Sequence, residues 1–328
     1  MTATKIKKIG VMTSGGDAPG MNACIRAVVR TAAYYNIECY GILHGYQGMI
    51  DNKIFKLESN DVANIIQRGG TILKTSRSEQ FMTAEGRKIA YDNLTKFGID
   101  GLVLIGGDGT FRGAQVFYDE HKIPSVGIPG TIDKDLAGTD FTIGYDTAIN
   151  TVIDAIDKIR DTADAHDRMF FVEVMGRDAG FIALSSGISV GAEAVLIPET
   201  HTYIDQLISK IENGYRRKKL CHIIVVAEGD DAGGAVKVAE LVKEKFDYIE
   251  TRVSVLGHMQ RGGSPSCNDR LLASRLGYAS VVALLEGKHN YMVGVINDKI
   301  AYTPLSQANK QEPTINDELL KLVEVLST

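Results

Sequence analysis

KIGVMTSGGDAPGMNACIRAVVRTAAY, residues 8–34, carries the pattern that decides the fold. Lys8 to Thr13 is a short apolar run, Ser14-Gly15-Gly16-Asp17 breaks it, and from Asn22 to Tyr34 apolar residues return at Ile25, Val28, Val29 and Ala32, the spacing of one helical face. The order of strand, polar loop and helix is restated along the chain. Leu102 to Ile105 runs into Gly106-Gly107-Asp108-Gly109-Thr110, Ser125 to Ile128 into Pro129-Gly130-Thr131-Ile132-Asp133, Phe170 to Val174 into Met175-Gly176-Arg177, and Ile223 to Ala227 into Glu228-Gly229. Strands alternating with helices imply βαβ units, a mainly parallel sheet and right-handed crossovers. Ligands of such sheets bind outside the carboxyl ends of the strands, so the spacing predicts that all five loops share one cleft.

The 328 residues are long for one core, and two domains are expected. Asp146 to Arg160, apolar at 148, 149, 152, 153, 156 and 159, reads as a helix opening the second domain. Ala192 to Gly229 reads as a further helix and strand, and Asn316 to Leu326 as a capped C-terminal helix. The fold class is therefore α/β, with two doubly wound domains, mainly parallel sheets and the active site in the cleft between them.

Composition excludes several classes of function. With 44% hydrophobic and 23% charged residues the chain is an ordinary globular one, and a net charge of -5 steers it toward neither nucleic acid nor an anionic membrane. No window reaches the roughly 18 apolar residues of a membrane span, and Met1 to Lys8 lacks a signal-peptide core, so a cytoplasmic location is expected. Cys24, Cys39, Cys221 and Cys267 are scattered and read as reduced thiols.

The loops suggest phosphate chemistry. Glycines at Gly107 and Gly109 permit close approach of an anion, a helix N-terminus supplies donors, and Asp108 amid them fits a divalent cation sharing the site; a tight turn with a solvated aspartate reads equally well for this loop alone. Gly15 to Gly20 is a second such loop. Neither is a P-loop, since no G-x-x-x-x-G-K-[ST] occurs, and Arg112 stands where G-x-G-x-x-G requires its last glycine. Asp133 and Asp135 close a strand end, where a carboxylate can serve as base to a hydroxyl or be merely solvated. Arg77, Arg168, Arg177, Arg252 and Arg261 lie in or beside loops and suit phosphate oxygens, although a single loop arginine is more often a surface ion-pair partner. His258, beside Gln260 and Arg261, is read as a donor.

Together GVMTSGGDAPGMN (10–22), IGGDGT (105–110), PGTIDKD (129–135), EVMGRDAG (173–180) and VLGHMQRGGSP (255–265) resemble the bacterial ATP-dependent 6-phosphofructokinases, in the same order from Lys8 to about Leu285. The resemblance implies transfer of the γ-phosphoryl of ATP to the 1-hydroxyl of fructose 6-phosphate, with Mg2+, in glycolysis. It implies a larger ATP-binding domain (1–143 and 259–309) and a smaller sugar-phosphate domain (144–258 and 310–328). It makes Asp133 the base, with Thr131 and Arg177 stabilising the transferring group. ATP would be lined by Gly16, Arg77, Ser78, Gly107, Asp108, Gly109 and Thr110, with Asp108 on the metal. The sugar phosphate would meet Thr131, Ile132, Asp133, Arg168, Met175, Gly176, Arg177, Glu228, Arg252, His258, Met259, Gln260 and Arg261.

In that family, arginines matching Arg168 and Arg252 come from a neighbouring subunit, which implies a homotetramer. An effector site would take Arg26, Arg30, Arg160, Gly191, Glu193, Arg217 and Lys219, while Ser59 replaces one of its usual arginines. Lys134, often asparagine, and Ser78, often aromatic, are further departures. Pyrophosphate-using relatives typically carry aspartate at the position of Gly109 and lysine at that of Gly130, so the two glycines favour ATP. The competing readings are a pyrophosphate-dependent enzyme, a nicotinamide dehydrogenase and a non-catalytic sugar-phosphate sensor.

Overall fold

The structure is a computed structural model, and it describes residues 6–166, 168–217, 221–310 and 315–327. By packing, the chain divides into two compact units. The first comprises Met1–Ile132, Leu136–Thr147 and Arg261–Gln311; the second comprises Asp133–Asp135, Ala148–Gln260 and Glu312–Thr328. The tripeptide Asp133–Asp135, expected with the first domain, packs with the second unit instead.

The first unit contains β1 (Lys8–Thr13), α1 (Met21–Tyr34), β2 (Glu38–Ile42), α2 (Gly45–Ile50), β3 (Ile54–Leu57), α3 (Ala84–Phe97), β4 (Gly101–Gly106), α4 (Asp108–His121) and β5 (Ser125–Pro129). Helix α5 (Tyr145–Asp164) starts in it and continues in the second unit. The second unit adds β6 (Met169–Val174), α6 (Phe181–Ser189), β7 (Ala194–Leu196), α7 (Ile204–Arg216), β8 (His222–Ala227), α8 (Gly234–Lys243) and β9 (Thr251–Val255). The chain returns to the first unit with α9 (Cys267–Leu285), β10 (Tyr291–Ile296) and β11 (Lys299–Pro304), and α10 (Asp317–Leu326) closes the second.

The seven-stranded sheet of the first unit runs β11-β10-β5-β4-β1-β2-β3, parallel except at its two margins, where β3 and β11 are antiparallel. Every residue of β4 and of β5 is buried, as expected of parallel strands covered on both faces. From β1 the chain steps to β2 on one side and then to β4 on the other. The strand order therefore reverses between β1 and β4, and the loops that follow these two strands flank the switch point. The second sheet, β7-β8-β6-β9, is wholly parallel, with Met169 to Val174 paired to His222 to Ala227 on one side and Met169 to Glu173 to Thr251 to Val255 on the other. Each sheet packs against its own apolar cluster, the first around Phe111, Phe117 and Met49, the second around Phe171, Phe246 and Ile211.

Helices end as their sequences dictate. Thr83 accepts from the Gly86 N–H to cap α3, Ser266 from Asp269 to cap α9, and Asn316 from Glu318 to cap α10. The four cysteines are free; Cys24 and Cys39 are buried, and burial pushes the Cys39 thiol up to about 12, which leaves it inert. No helix among the described residues is long and apolar enough to cross a membrane.

Candidate active site

The two glycine loops of the first unit are tied together at their bases. The Ser14 N–H donates to the Ile105 carbonyl at 2.9 Å, and Thr75 Oγ1 to the Gly15 carbonyl at 2.5 Å. Gly15 adopts φ +85°, which a residue with a side chain would resist. Arg261 lies directly over Gly16, and its Nη1 donates to the Asp17 carbonyl at 3.1 Å. This places an expected sugar-phosphate arginine against the first loop.

After β4 the backbone enters α4 at Gly107. A side chain at Gly106 would collide with the Ser14 carbonyl, 2.6 Å away, whereas the Cβ directions of Gly107 and Gly109 meet nothing within 4 Å. Neither packing nor backbone geometry therefore demands glycine at 107 or 109, and the space above them is open. Asp108 begins the helix. Its Oδ1 accepts from the Gly109 N–H at 2.6 Å, and its Oδ2 lies 3.0 Å from Arg112 Nη2. The described residues hold no group of three or more His, Cys, Asp or Glu able to cage a metal. One carboxylate beside an anion-binding helix end fits Mg2+ carried in on a nucleotide, since this ion commonly binds through one or two carboxylates with phosphate oxygens and water.

Tyr46 braces α4 from behind, its hydroxyl donating to the buried Thr110 carbonyl at 2.5 Å while its ring stacks on Phe81 at 4.0 Å. Ser78 Oγ donates to Gln47 Oε1 at 2.8 Å and accepts from the Phe81 N–H at 3.2 Å, so this hydroxyl orders the segment; Arg77 beside it is exposed.

The second unit gathers the candidate chemistry of the acceptor. Asp133, only 3% exposed, lies with its Oδ2 3.6 Å from Arg177 Nε, whereas the Arg177 side chain is 57% exposed. Lys134 and Arg177 both adopt left-handed backbone, φ +56° and +53°, at about 1–2 kcal/mol each for residues bearing a Cβ. Glu228 supports one of these turns, its Oε1 accepting from the N–H groups of Gly176 at 3.2 Å and Arg177 at 2.8 Å. Gln260 is fully buried, accepting from the Met175 N–H at 3.3 Å and donating to the Gly257 carbonyl at 3.1 Å. Ile132, the last residue of its segment of the first unit, is also fully buried. Thr131, also in the first unit, is half-buried, and His258 and Met259 of the second unit are exposed.

Arg168 and Arg252 stand elsewhere. Arg168 precedes β6, whose carboxyl end delivers Met175-Gly176-Arg177, and Arg252 pairs with Phe170 near the amino end of β9, the parallel neighbour of β6. Glu250 bridges them, accepting from Arg168 Nε at 2.6 Å and from Arg252 Nη2. The two arginines hold its carboxyl below the usual range, the hydrogen bond from Arg168 being the largest cause. Neither arginine belongs to the five loops at the carboxyl ends of the strands.

A phosphofructokinase family model matches residues 8–284, and the ATP-dependent 6-phosphofructokinase of Cytophaga hutchinsonii is 57% identical over 322 residues, covering 98% of each chain. The chain belongs to the phosphofructokinase family. Among solved structures, phosphofructokinase from Saccharomyces cerevisiae superposes with a TM-score of 0.88 at 35% identity, covering 98% of this chain, which spans 47% of the yeast one. The pyrophosphate-dependent phosphofructokinase from Marinobacter aquaeolei gives a TM-score of 0.84 at 22% identity, covering 98% of this chain and 92% of its own, a likeness of fold alone.

Of the residues that the resemblance assigns to a phosphofructokinase effector site, Arg160, Gly191, Glu193 and Arg217 come together in the second unit. Arg160 donates to the Val190 carbonyl, beside Gly191 at φ +61°. Glu193 is fully buried, with Arg217 Nη2 3.8 Å from one oxygen and His222 Nδ1 3.6 Å from the other. Arg26 and Arg30 lie one turn apart on α1, in the first unit. Lys219 falls outside the described residues. Nothing in the sequence pairs His222 of β8 with Glu193, which immediately precedes β7, and from the sequence it reads as incidental.

Proposed function

We propose that this phosphofructokinase transfers the γ-phosphoryl of ATP to the 1-hydroxyl of fructose 6-phosphate, with Asp133 as general base. The observation that carries the reading is the buried Asp133 carboxylate facing the solvent-exposed Arg177 guanidinium at 3.6 Å. A base and a phosphate-binding cation on one spot are what in-line transfer to a hydroxyl requires. As the sugar oxygen bonds to the γ-phosphorus and the bond to the β-bridging oxygen breaks, Asp133 takes the hydroxyl proton. Arg177 and Thr131 stabilise charge on the transferring oxygens, and Arg177 is aimed before the reaction because Glu228 fixes its backbone.

The donor is assigned to the first unit, with Gly16, Arg77, Ser78 and Gly107 to Thr110 around ATP and Asp108 on Mg2+, which when bound neutralises donor phosphate charge. ATP is preferred to pyrophosphate because the glycine at 109 leaves open space that packing does not require. The sugar phosphate is assigned to Met175, Gly176, Glu228, His258, Met259 and Arg261, with the buried Ile132 and Gln260 in support. Arg168 and Arg252, at the far end of the same sheet, serve a neighbouring copy, and the working form is a cytoplasmic homotetramer. An effector is assigned to Arg26, Arg30, Arg160, Gly191, Glu193, Arg217 and Lys219.

The test is fructose 1,6-bisphosphate formation with ATP or pyrophosphate, on the wild type and Asp133→Ser. Activity with ATP is expected, with kcat lower by roughly 10²–10⁴-fold in the variant. A variant with undiminished kcat would remove Asp133 from the mechanism, and a preference for pyrophosphate would overturn the donor assignment.

A further inference from the structure

The turn between β6 and α6 is held at both ends by carboxylates. Glu228 takes the N–H groups of Gly176 and Arg177, and Glu199 Oε1 takes that of Gly180 at 2.8 Å. Between them the backbone passes through φ +143° at Gly176 and +53° at Arg177, and the Ala179 N–H folds back onto the Gly176 carbonyl at 3.0 Å. Gly180 is the cap of α6, and its own N–H has no partner within the helix, so an acceptor for it must come from another segment. Glu199, in the loop after β7, supplies it, and its charge suits the positive end of the helix.

The fit is close. A Cβ on Gly180 would lie 2.6 Å from Glu199 Oε2 and 2.5 Å from Ile197 Cβ, so only glycine lets this loop seat against the helix start. Glu199 Oε2 is buried with no hydrogen-bond partner among the described residues. Burial raises the Glu199 carboxyl above its usual range, against the opposing pull of the Gly180 N–H. Leaving a buried carboxylate oxygen without a partner is costly. What it secures is the first turn of α6, which touches both halves of the candidate chemistry. Phe181 lies under Lys134 Nζ at 5.4 Å, and Arg177, three residues before the cap, faces Asp133.

We propose that Glu199 is a positioning residue for phosphoryl transfer: by fixing Gly180 it sets the first turn of α6, and through that turn the placement of Arg177 and of the Asp133–Lys134 loop. This inference rests on the phosphofructokinase reading of the site.

The test compares the full chain as wild type, Glu199→Ala and Glu199→Gln by steady-state kinetics and by deuterium uptake of the peptide covering 175–183. Glu199→Ala should lose kcat on the order of 10²-fold, the scale of an ångström-level misplacement, with KM for ATP within about 2-fold. Glu199→Gln keeps an oxygen for the Gly180 N–H and should retain kcat within about 5-fold of wild type. Uptake in 175–183 should accelerate in the alanine variant and not in the glutamine one. A folded Glu199→Ala with wild-type kcat, or a Glu199→Gln as impaired as the alanine, would overturn the inference. Unchanged uptake overturns it even if the wild type made no fructose 1,6-bisphosphate, an outcome that would separately sink the functional reading. Should Glu199→Ala not fold, Glu199→Asp, one methylene short of Gly180, carries the same comparison.

Discussion

Mixing two inactive variants should restore activity. The strand β6, Met169–Val174, rises about 3.3 Å per residue, so its ends stand roughly 20 Å apart, with Arg168 before one and Arg177 beyond the other. No side chain spans that length, and the register of β9 fixes Arg252 beside Arg168 rather than beside Arg177. If both arginines grip sugar phosphate, they do so on another copy of the chain. Replacing both with serine removes two charge-assisted hydrogen-bonding groups, each about 1.5–3 kcal/mol, and should raise the sugar-phosphate KM by at least two orders of magnitude. Asp133→Ser should instead lower kcat by roughly 10²–10⁴-fold. When subunits of the two variants re-assort at random across a two-fold interface, half of the pairs are hybrids. Each hybrid holds one site with both lesions and one with neither, so about a quarter of all sites should recover wild-type kinetics. The assay is fructose 1,6-bisphosphate formation before and after dissociation and reassociation, with hybrid content read by native mass spectrometry. Hybrids that form without recovering activity would show that the arginines do not act across copies, and the assignment of Arg168 and Arg252 to a neighbour's site would be wrong.

Three further outcomes are expected. Gly109→Asp should leave stability within about 0.5 kcal/mol because its Cβ enters open space, yet lower kcat/KM for ATP more than for pyrophosphate; equal losses with both donors would remove the steric account of donor choice. Gly130→Lys should in addition destabilise the fold, because its Cβ would meet Ile105 Cγ2 at 3.0 Å and Met21 Cε at 3.2 Å, and an unchanged melting temperature would contradict that packing. His121, stacked on Tyr91 at 4.6 Å, has its pKa lowered by burial, with Glu120 at 3.7 Å opposing the shift. The unfolded chain then binds a proton that the folded chain resists, so stability is full above about pH 6.5 and falls as the pH drops below it. His121→Phe should flatten that part of the dependence of urea midpoint on pH, and a slope identical to wild type would assign it to other groups.

What could be read in the sequence follows from which strands are buried on both faces. β1, β4, β5, β6 and β8 are apolar runs ending in glycine or acidic loops, and the structure places each within a residue or two of its expected bounds. The strands without a clear sequence pattern are mostly marginal ones: β3 and β11 pair antiparallel at the sheet edges and are only partly buried, β7 has only three residues, and β9 is a largely exposed edge strand. Such segments owe their conformation to a neighbour's hydrogen bonds rather than to their own pattern. The candidate site divides on the same principle. Asp108, Asp133 and Arg177 stand in motifs because their chemistry acts through side chains on loops that the strands deliver. Glu199 stands in no motif, since its partner is a backbone N–H at Gly180, and the requirement is visible only as the missing Cβ opposite it. For Arg168 and Arg252 residue type predicts only a phosphate contact, and it is the family resemblance that assigns them to a neighbouring subunit. A guanidinium at the amino end of a parallel strand faces away from the ligands of its own sheet. Strand direction therefore keeps Arg168 and Arg252 away from the Met175-Gly176-Arg177 loop of their own chain.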